Sequence, residues 1–470
     1  MPVVNDIHSG LNETRVQRIV EVDSLEAVVA AVRSARREGL AVSVAGGRHA
    51  MGGQQFGTDT VLLDTRPLRR VLRFDPAAGL LEAEAGILWP ELIDGYLEIQ
   101  KDSPQAWGIA QKQTGADRLS LGGTLGANGH GRGLTRPPFV SDVESFVLVD
   151  ATGEVRQCSR SDRSRSENAD LFRLVAGGYG LFGVVTSITL RLVPRRKIER
   201  VVEVRRMDGL MDAFVARIRD GFLYGDFQFS IDSASDGFLD QGVFSCYRPV
   251  DPETPIPPGQ RKLSGRDWSE LLWLAHSDKA AGFRRYAEHY LKTSGQIYWS
   301  DTHQLSPYVD GYHAEIDIRR GGDLRGSEMI TEIYVPRPRL TDFMAAAAEG
   351  FRRSPSGGSE VIYGTVRLIE RDTESFLAWA REPWACVIFN LCVEHSPQGL
   401  ERAAAAFRWL IDLAIERGGS YFPTYHKWAT REQAGICHPR LREFLLAKRR
   451  HDPDEVFQSD WYLHYRALLG

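Results

Sequence analysis

Cysteine is scarce. The five residues, Cys158, Cys246, Cys386, Cys392 and Cys437, are odd in number and scattered, with no CxxC and no close Cys/His set. That pattern excludes a disulfide framework and a structural zinc site, so no metal is expected. No apolar run reaches the roughly 18 residues a spanning helix needs. The N-terminus MPVVNDIHSG has neither a basic n-region nor an apolar h-region, so no secretory signal is expected and a cytoplasmic protein is the default. A one-sided charge is also missing: 58 Lys+Arg stand against 62 Asp+Glu, which excludes a strongly basic nucleic-acid binder. Repeats and low-complexity segments are absent. With 43% hydrophobic residues and a net charge of −4, disorder is excluded as well. What remains is 470 residues, enough for two or three domains, and 45 glycines that are clumped.

The N-terminal texture is β-α-β. Ile19–Val22 predicts a strand. Asp23 or Ser24 caps a helix, with Glu26 placed for a capping box, and Leu25, Val28, Val29, Val32 and Ala35 recur at helical spacing up to Gly39. Strands Ala41–Gly46, Thr60–Asp64 and Arg69–Asp75 follow, with a glycine-rich loop directly after the first of them. Further on, Val143–Asp150 and Val155–Ser159 read as strands, Asp170–Gly177 as a short helix and Val184–Pro194 as a long strand. Pro194 with Arg195, Arg196 and Lys197 marks a domain edge. Beyond it, helical segments 268–291, 340–353 and 400–418 alternate with strands 329–336, 360–369 and 385–395, an α+β pattern with helices over one sheet face.

GYGLFG (178–183) matches the dinucleotide pattern GxGxxG, but in the wrong context. That fingerprint needs strand, glycines, then helix, so that the helix N-terminus meets the pyrophosphate. Here a helix precedes and a strand follows, which predicts a tight turn. Such a turn still has room to lie beside a cofactor.

Two other loops carry more. In AGGRHAMGGQQFG (45–57), four glycines surround His49 after a strand. Successive glycines let backbone N–H groups converge on an anion at close approach. In QTGADRLSLGGTLGANGHGRG (113–133), a second glycine-dense loop holds His130. Together the two are suited to hold two phosphates or one pyrophosphate from two sides.

These loops, with SDVESFVLVDATGEV and ENADLFRLVAGGYGLFGVVTSITLRLVP, resemble the FAD-binding domain of the vanillyl-alcohol oxidase and p-cresol methylhydroxylase (PCMH-type) superfamily. FNLCVEH (389–395), GGSYFPTYHKW (418–428) and HPRLREFLLAKRRHDPDEVFQSD (438–460) are similar to the substrate domain of decaprenylphosphoryl-ribose oxidases and, more loosely, of aldonolactone and alditol oxidases. The resemblance implies an α+β protein: a PCMH-type FAD-binding domain of two α/β subdomains over 12–196, a substrate domain over 197–430 with an antiparallel sheet covered by helices, and a C-terminal segment, 431–470, packing back near the FAD domain.

It also implies a cofactor, FAD, and a set of contacts. The first loop would supply Ala45, Gly46, Gly47, Arg48, His49, Ala50, Met51, Gly52, Gly53 and Gln54. The second would supply Gly115, Ser120, Leu121, Gly122, Gly123, Ala127, Asn128, Gly129 and His130. Gly183, Val184, Val185 and Thr424 complete the set. Many relatives link FAD covalently through a histidine at the position of His49, although decaprenylphosphoryl-ribose oxidases have none there. No cysteine lies in 113–133, so a second link is not expected. In lactone oxidases the residue before the loop histidine gates oxygen; here it is the small Gly129, which favours an oxidase using O2 over a dehydrogenase with another acceptor.

Lys427, His130 and Glu332 are the catalytic candidates. Lys427 matches a lysine near flavin and substrate in the relatives, where a cation stabilises charge that develops on hydride transfer. Glu332 matches a substrate-contacting strand position, and Tyr334 points the same way by the period of two. Asn390, Cys392 and Tyr425 are the remaining substrate-side candidates. The implied reaction is oxidation of a CH–OH carbon in a small-molecule substrate by hydride transfer to flavin N5. Amine oxidation by the same fold and a flavin-binding protein without turnover remain as alternatives. No nucleic-acid partner and no membrane span are expected.

Overall fold

The computed structural model describes residues 1–103, 106–162, 166–306, 308–309, 311–321, 325–353 and 360–470. The first unit is a three-stranded parallel sheet in which Val61–Asp64 lies between Arg18–Glu21 and Val42–Ala45. The helix Leu25–Arg37 covers it, burying Val28, Val32 and Ala35 against Val42, Val61 and Leu63. Ser24 is the cap, its hydroxyl accepting from Ala27 N at 3.2 Å. The third helical position is therefore Ala27, and Glu26 closes no capping box. Gly39, at φ +68°, ends the helix in the left-handed conformation that glycine adopts without cost.

The predicted strand over 69–75 leaves this unit. As Val71–Asp75 it edges a five-stranded antiparallel sheet, in the order 155–159, 143–149, 184–191, 80–84, 71–75. The helices Trp89–Ile99 and Glu167–Val175 share one core with it.

The third unit is an eight-stranded antiparallel sheet. Its order is Ile297–Trp299, Lys197–Arg206, Gln241–Pro249, Tyr224–Phe229, Val361–Ile369, Trp384–Glu394, Gly326–Pro336, Ser420–Tyr421. Alternation along each strand sends Phe227, Phe244, Ile333, Val335, Val366, Val387 and Phe389 to one face. There they pack under the helices Leu210–Arg219, Leu340–Arg353 and Pro397–Ile415. The opposite face carries Glu328, Ile330, Glu332, Tyr363, Arg367, Ile388 and Asn390 and looks into a cavity. The single helix expected over 268–291 is two, Gly265–Ser277 and Lys279–Leu291. Asp278 breaks it at φ −150°, ψ 83°, and its carboxylate caps the second helix at Ala281 N, 2.9 Å away.

The end of the chain returns to the beginning. Phe457 bridges Val42 at the edge of the parallel sheet, and Trp461, Tyr462 and Tyr465 enter the core of the five-stranded unit. Among the described residues, no helix is long and apolar enough to cross a membrane.

Candidate active site

A cavity of about 530 Å³ lies between the two glycine loops and the polar face of the large sheet. The first loop leaves strand Val42–Ala45 and turns at Arg48, whose φ of +58° is unusual for a side-chain-bearing residue. Asp64, 1% exposed, holds that turn: it accepts from Arg48 Nη2 at 3.0 Å and from Arg66 Nε at 2.9 Å. Burial raises the Asp64 carboxyl, and the hydrogen bonds from Arg66 bring it below its ordinary value. The turn delivers His49 to the cavity wall, edge-on to Tyr308 at 5.6 Å.

The second loop abuts the first through bare backbone. A Cβ at Gly46 would lie 2.1 Å from Ser120 Oγ, and one at Gly47 2.1 Å from the carbonyl oxygen of Arg118. The loops thus interlock only as glycines, yet they leave the cavity open beside them. Ser120 caps the short helix Leu121–Ala127, accepting from Gly123 N at 3.2 Å. Asn128, at φ +50°, ends it and is fixed by Val140 N, which donates to Oδ1 at 2.9 Å, and by Asp372, which accepts from Nδ2 at 2.9 Å. His130 follows. The GYGLFG segment is a helix-to-strand turn with positive φ at Tyr179, Gly180 and Gly183, and it lines the same cavity.

On the facing sheet, Glu332 is 3% exposed and is the hub of a buried cluster. His130 Nε2 lies 2.8 Å from its Oε2, the Tyr334 hydroxyl donates to Oε2 at 2.8 Å, and the Tyr425 hydroxyl donates to Oε1 at 2.6 Å. Burial alone would raise the carboxyl. The charge and hydrogen bond of His130, with those of the two tyrosines, carry it down to about 2. Four residues earlier on the same face, Glu328 is bound by His276 Nε2 at 3.0 Å, Asn390 Nδ2 at 2.9 Å and the Tyr312 hydroxyl. Burial lowers His276, but hydrogen bonds to Cys392 and Glu328 outweigh it and lift the imidazole to about 9.

Most of the expected contacts meet at this cavity. Gly46, Gly47, Arg48, His49, Ala50, Met51, Gln54, Gly115, Ser120, Gly122, Gly123, Ala127, Gly129, His130, Gly183, Val185 and Thr424 line it, as do Glu332, Asn390 and Tyr425. Others support it from behind: Ala45, Leu121 and Val184 are core residues, and Asn128 is the fully buried helix end. Gly52 and Gly53 lie outside the wall, as does Cys392, which accepts from Arg320 Nη1 at 3.6 Å. Tyr334 reaches the site only through Glu332. Lys427 requires a correction. It is not in the cavity wall; its amine lies over Gly53, where a Cβ would be 3.0 Å from Nζ, and it is attracted by Asp460. Thr424 and Tyr425 take the positions facing the cavity, because Gln54 Nε2 donates to the Thr424 carbonyl at 2.6 Å and fixes that segment.

Sequence reasoning missed Glu328, Tyr312, His276 and Arg367. The period of two starting from Glu332 would have found Glu328; the others come from distant segments and left no local mark.

Glycine loops interlocked by bare backbone, a histidine at the wall of each and a cavity that begins between them suit a dinucleotide, with the polar face of the large sheet beside it. Residues 16–159 match the FAD binding domain family. The chain is 28% identical to an uncharacterised oxidoreductase of the fasciation locus of Rhodococcoides fascians over 210 residues, 44% of this chain and 45% of that protein. It is 30% identical to L-gulonolactone oxidase of Mus musculus over 162 residues, 34% of each. These alignments span less than half of either relative. A third, to decaprenylphosphoryl-beta-D-ribose oxidase of Mycolicibacterium smegmatis, runs at 25% identity over 96% of this chain and 95% of that one. Residues 16–159 carry the FAD binding domain that this family describes, and FAD is the cofactor.

Proposed function

We propose that the protein is an FAD-dependent oxidoreductase that oxidises a CH–OH carbon of a small polar substrate and passes the electrons to O2. The observation that carries this reading is the buried Glu332–His130–Tyr425 cluster, in which His130 of the second glycine loop meets Glu332 of the large sheet at the cavity wall. When bound, FAD supplies a two-electron acceptor for the hydride. The residues of this chain handle the proton. A carboxyl held near 2 stays ionised at neutral pH, so Glu332 pairs with His130 and the two act together. His130 Nδ1 lies 3.0 Å from the Gly131 carbonyl and Nε2 lies 2.8 Å from the Glu332 carboxylate, so the hydroxyl proton passes to the His130–Glu332 pair as a unit. The Glu332 carboxylate stabilises the imidazolium that results. Tyr425 and Tyr334 hold the carboxylate so that it need not reorganise during the reaction.

His49 is the proposed attachment point of the flavin, supported by its place at the cavity wall on a turn that Asp64 clamps. Mass spectrometry of the peptide containing His49 should show a flavin adduct that His49→Ala lacks. For the reaction, a peroxide-release screen over polyols, sugar lactones, glycosides and amines should select an alcohol. Under anaerobic conditions that alcohol should bleach the visible flavin band, and air should restore it. Turnover of amines alone, or purified protein that neither contains nor binds FAD, would refute the reading.

A further inference from the structure

The wall of the cavity away from Glu332 is unbalanced in charge. Arg367 sits on strand Val361–Ile369, opposite Cys386, and two strands across from the strand of Glu332. It is 6% exposed and lines the cavity, yet it forms no ion pair with any described residue, and its Nε has no hydrogen-bond partner among them. Arg132 also lines this wall. Its Nη2 donates to the His303 carbonyl at 2.8 Å, its Nε has no partner among the described residues, and Asp226 is 3.7 Å from Nη1. Arg200, the third, is spent on Tyr247 and Thr293 at 2.8 and 3.0 Å and has no carboxylate among the described residues. Of these three guanidinium groups, only Arg132 has a carboxylate within 4 Å among the described residues, Asp226. A guanidinium cannot shed its charge at physiological pH, and an unpaired one is costly to bury. Such a cluster is tolerable when a ligand brings the missing negative charge.

We propose that Arg367, backed by Arg132, binds an anionic group of the substrate, a carboxylate or a phosphate. The substrate is then an alcohol whose oxidised carbon lies at His130 and Glu332 and whose anionic end lies several bonds away. The inference rests on the oxidoreductase reading for the position of the oxidised carbon, but the anion site itself is independent of turnover. The phosphates of FAD do not supply this charge in the proposal, because Arg367 stands on the strand Val361–Ile369 of the large sheet, whereas the bare-backbone glycines suited to phosphate lie in the loops.

Three six-carbon probes test it: sorbitol, gluconate and sorbitol 6-phosphate. Binding to the FAD-loaded protein is read by perturbation of the flavin spectrum, and by thermal shift whether or not FAD is retained. A charge-assisted contact predicts that at least one anion binds roughly 10- to 100-fold tighter than sorbitol. Preference for gluconate assigns a carboxylate, and preference for sorbitol 6-phosphate a phosphate. Arg367→Met should abolish the preference for an anion over sorbitol, while Arg367→Lys should retain part of it. Equal binding of all three probes, or an undiminished preference in Arg367→Met, overturns the proposal. So does an Arg367→Met effect confined to the flavin spectrum, which would assign the guanidinium to the cofactor. Failure to hold FAD, by contrast, counts against the oxidoreductase reading and leaves the thermal-shift comparison decisive for the anion site.

Discussion

His130 and Glu332 divide the work of one proton, and the division predicts different losses. His130→Asn removes the imidazole of the pair and should lower kcat by about 10²- to 10⁴-fold, measured as flavin reduction in single turnover. Glu332→Gln keeps the shape but not the charge, so the imidazolium loses its partner and the same rate should fall. Glu332 also leaves a mark on stability. Its carboxyl is at about 2 in the folded protein against an ordinary 4.5. A depressed value stabilises fully above 4.5, and the contribution drains away as pH falls through 4.5 towards about 2. Acid unfolding of Glu332→Gln should therefore lack that part of the slope; an identical acid limb would show that the carboxylate is not ionised in the fold. At this scale the sequence was legible where a residue sits in a motif, as His49 and His130 do. It misled where only the segment was diagnostic. Lys427 lies in the right stretch of chain, but side chains three residues apart leave a loop in different directions, and its amine lies over Gly53 and not in the cavity wall.

The strand Gly326–Pro336 presents Glu328 and Glu332 on one face, each bound by a histidine and at least one tyrosine from elsewhere. The two ends titrate in opposite senses. His276 is raised from 6.5 to about 9, so its pairing with Glu328 is worth most below pH 6.5 and is lost as pH rises through about 9. Thermal stability should decline over that interval, and His276→Gln should flatten the decline, as followed by calorimetry across pH 6 to 10. Element types were readable from periodicity: strands 155–159 and 329–336 and helix 340–353 fall within a few residues of their expected bounds. Partnership was not. The segment 69–75 reads as a continuation of the β-α-β unit, yet its hydrogen bonds go to Leu80–Glu84 in another sheet, because pairing is set by tertiary packing and leaves no periodic trace. The break at Asp278 was hidden for a related reason: apolar spacing continues through it, and only the Asp278 cap reveals two helices.

At the scale of the molecule, two units from different parts of the chain close on one cavity, and the last residues hold them together. Trp461 is fully buried, donates to the Pro423 carbonyl at 3.0 Å and packs on Tyr179 of the cavity-lining turn at 4.6 Å. Trp461→Ala should cost about 3–5 kcal/mol and, although it touches no candidate site residue on the substrate sheet, should loosen FAD retention; flavin release on mild heating measures this. Retention equal to that of the unsubstituted protein would mean the turn holds its shape without the indole.

The bridge from Phe457 to Val42 has a consequence for how the molecule is made. The edge of the first parallel sheet is finished by a segment far along the chain, and the neighbouring core takes in Trp461 and Tyr465 from just beyond it. A nascent chain stalled before residue 457 would therefore expose an open strand edge and an indole-sized gap beside its glycine loops. Capture of the flavin should wait until residues 457–465 have been made, and cofactor offered to a shorter chain should find no finished site to enter.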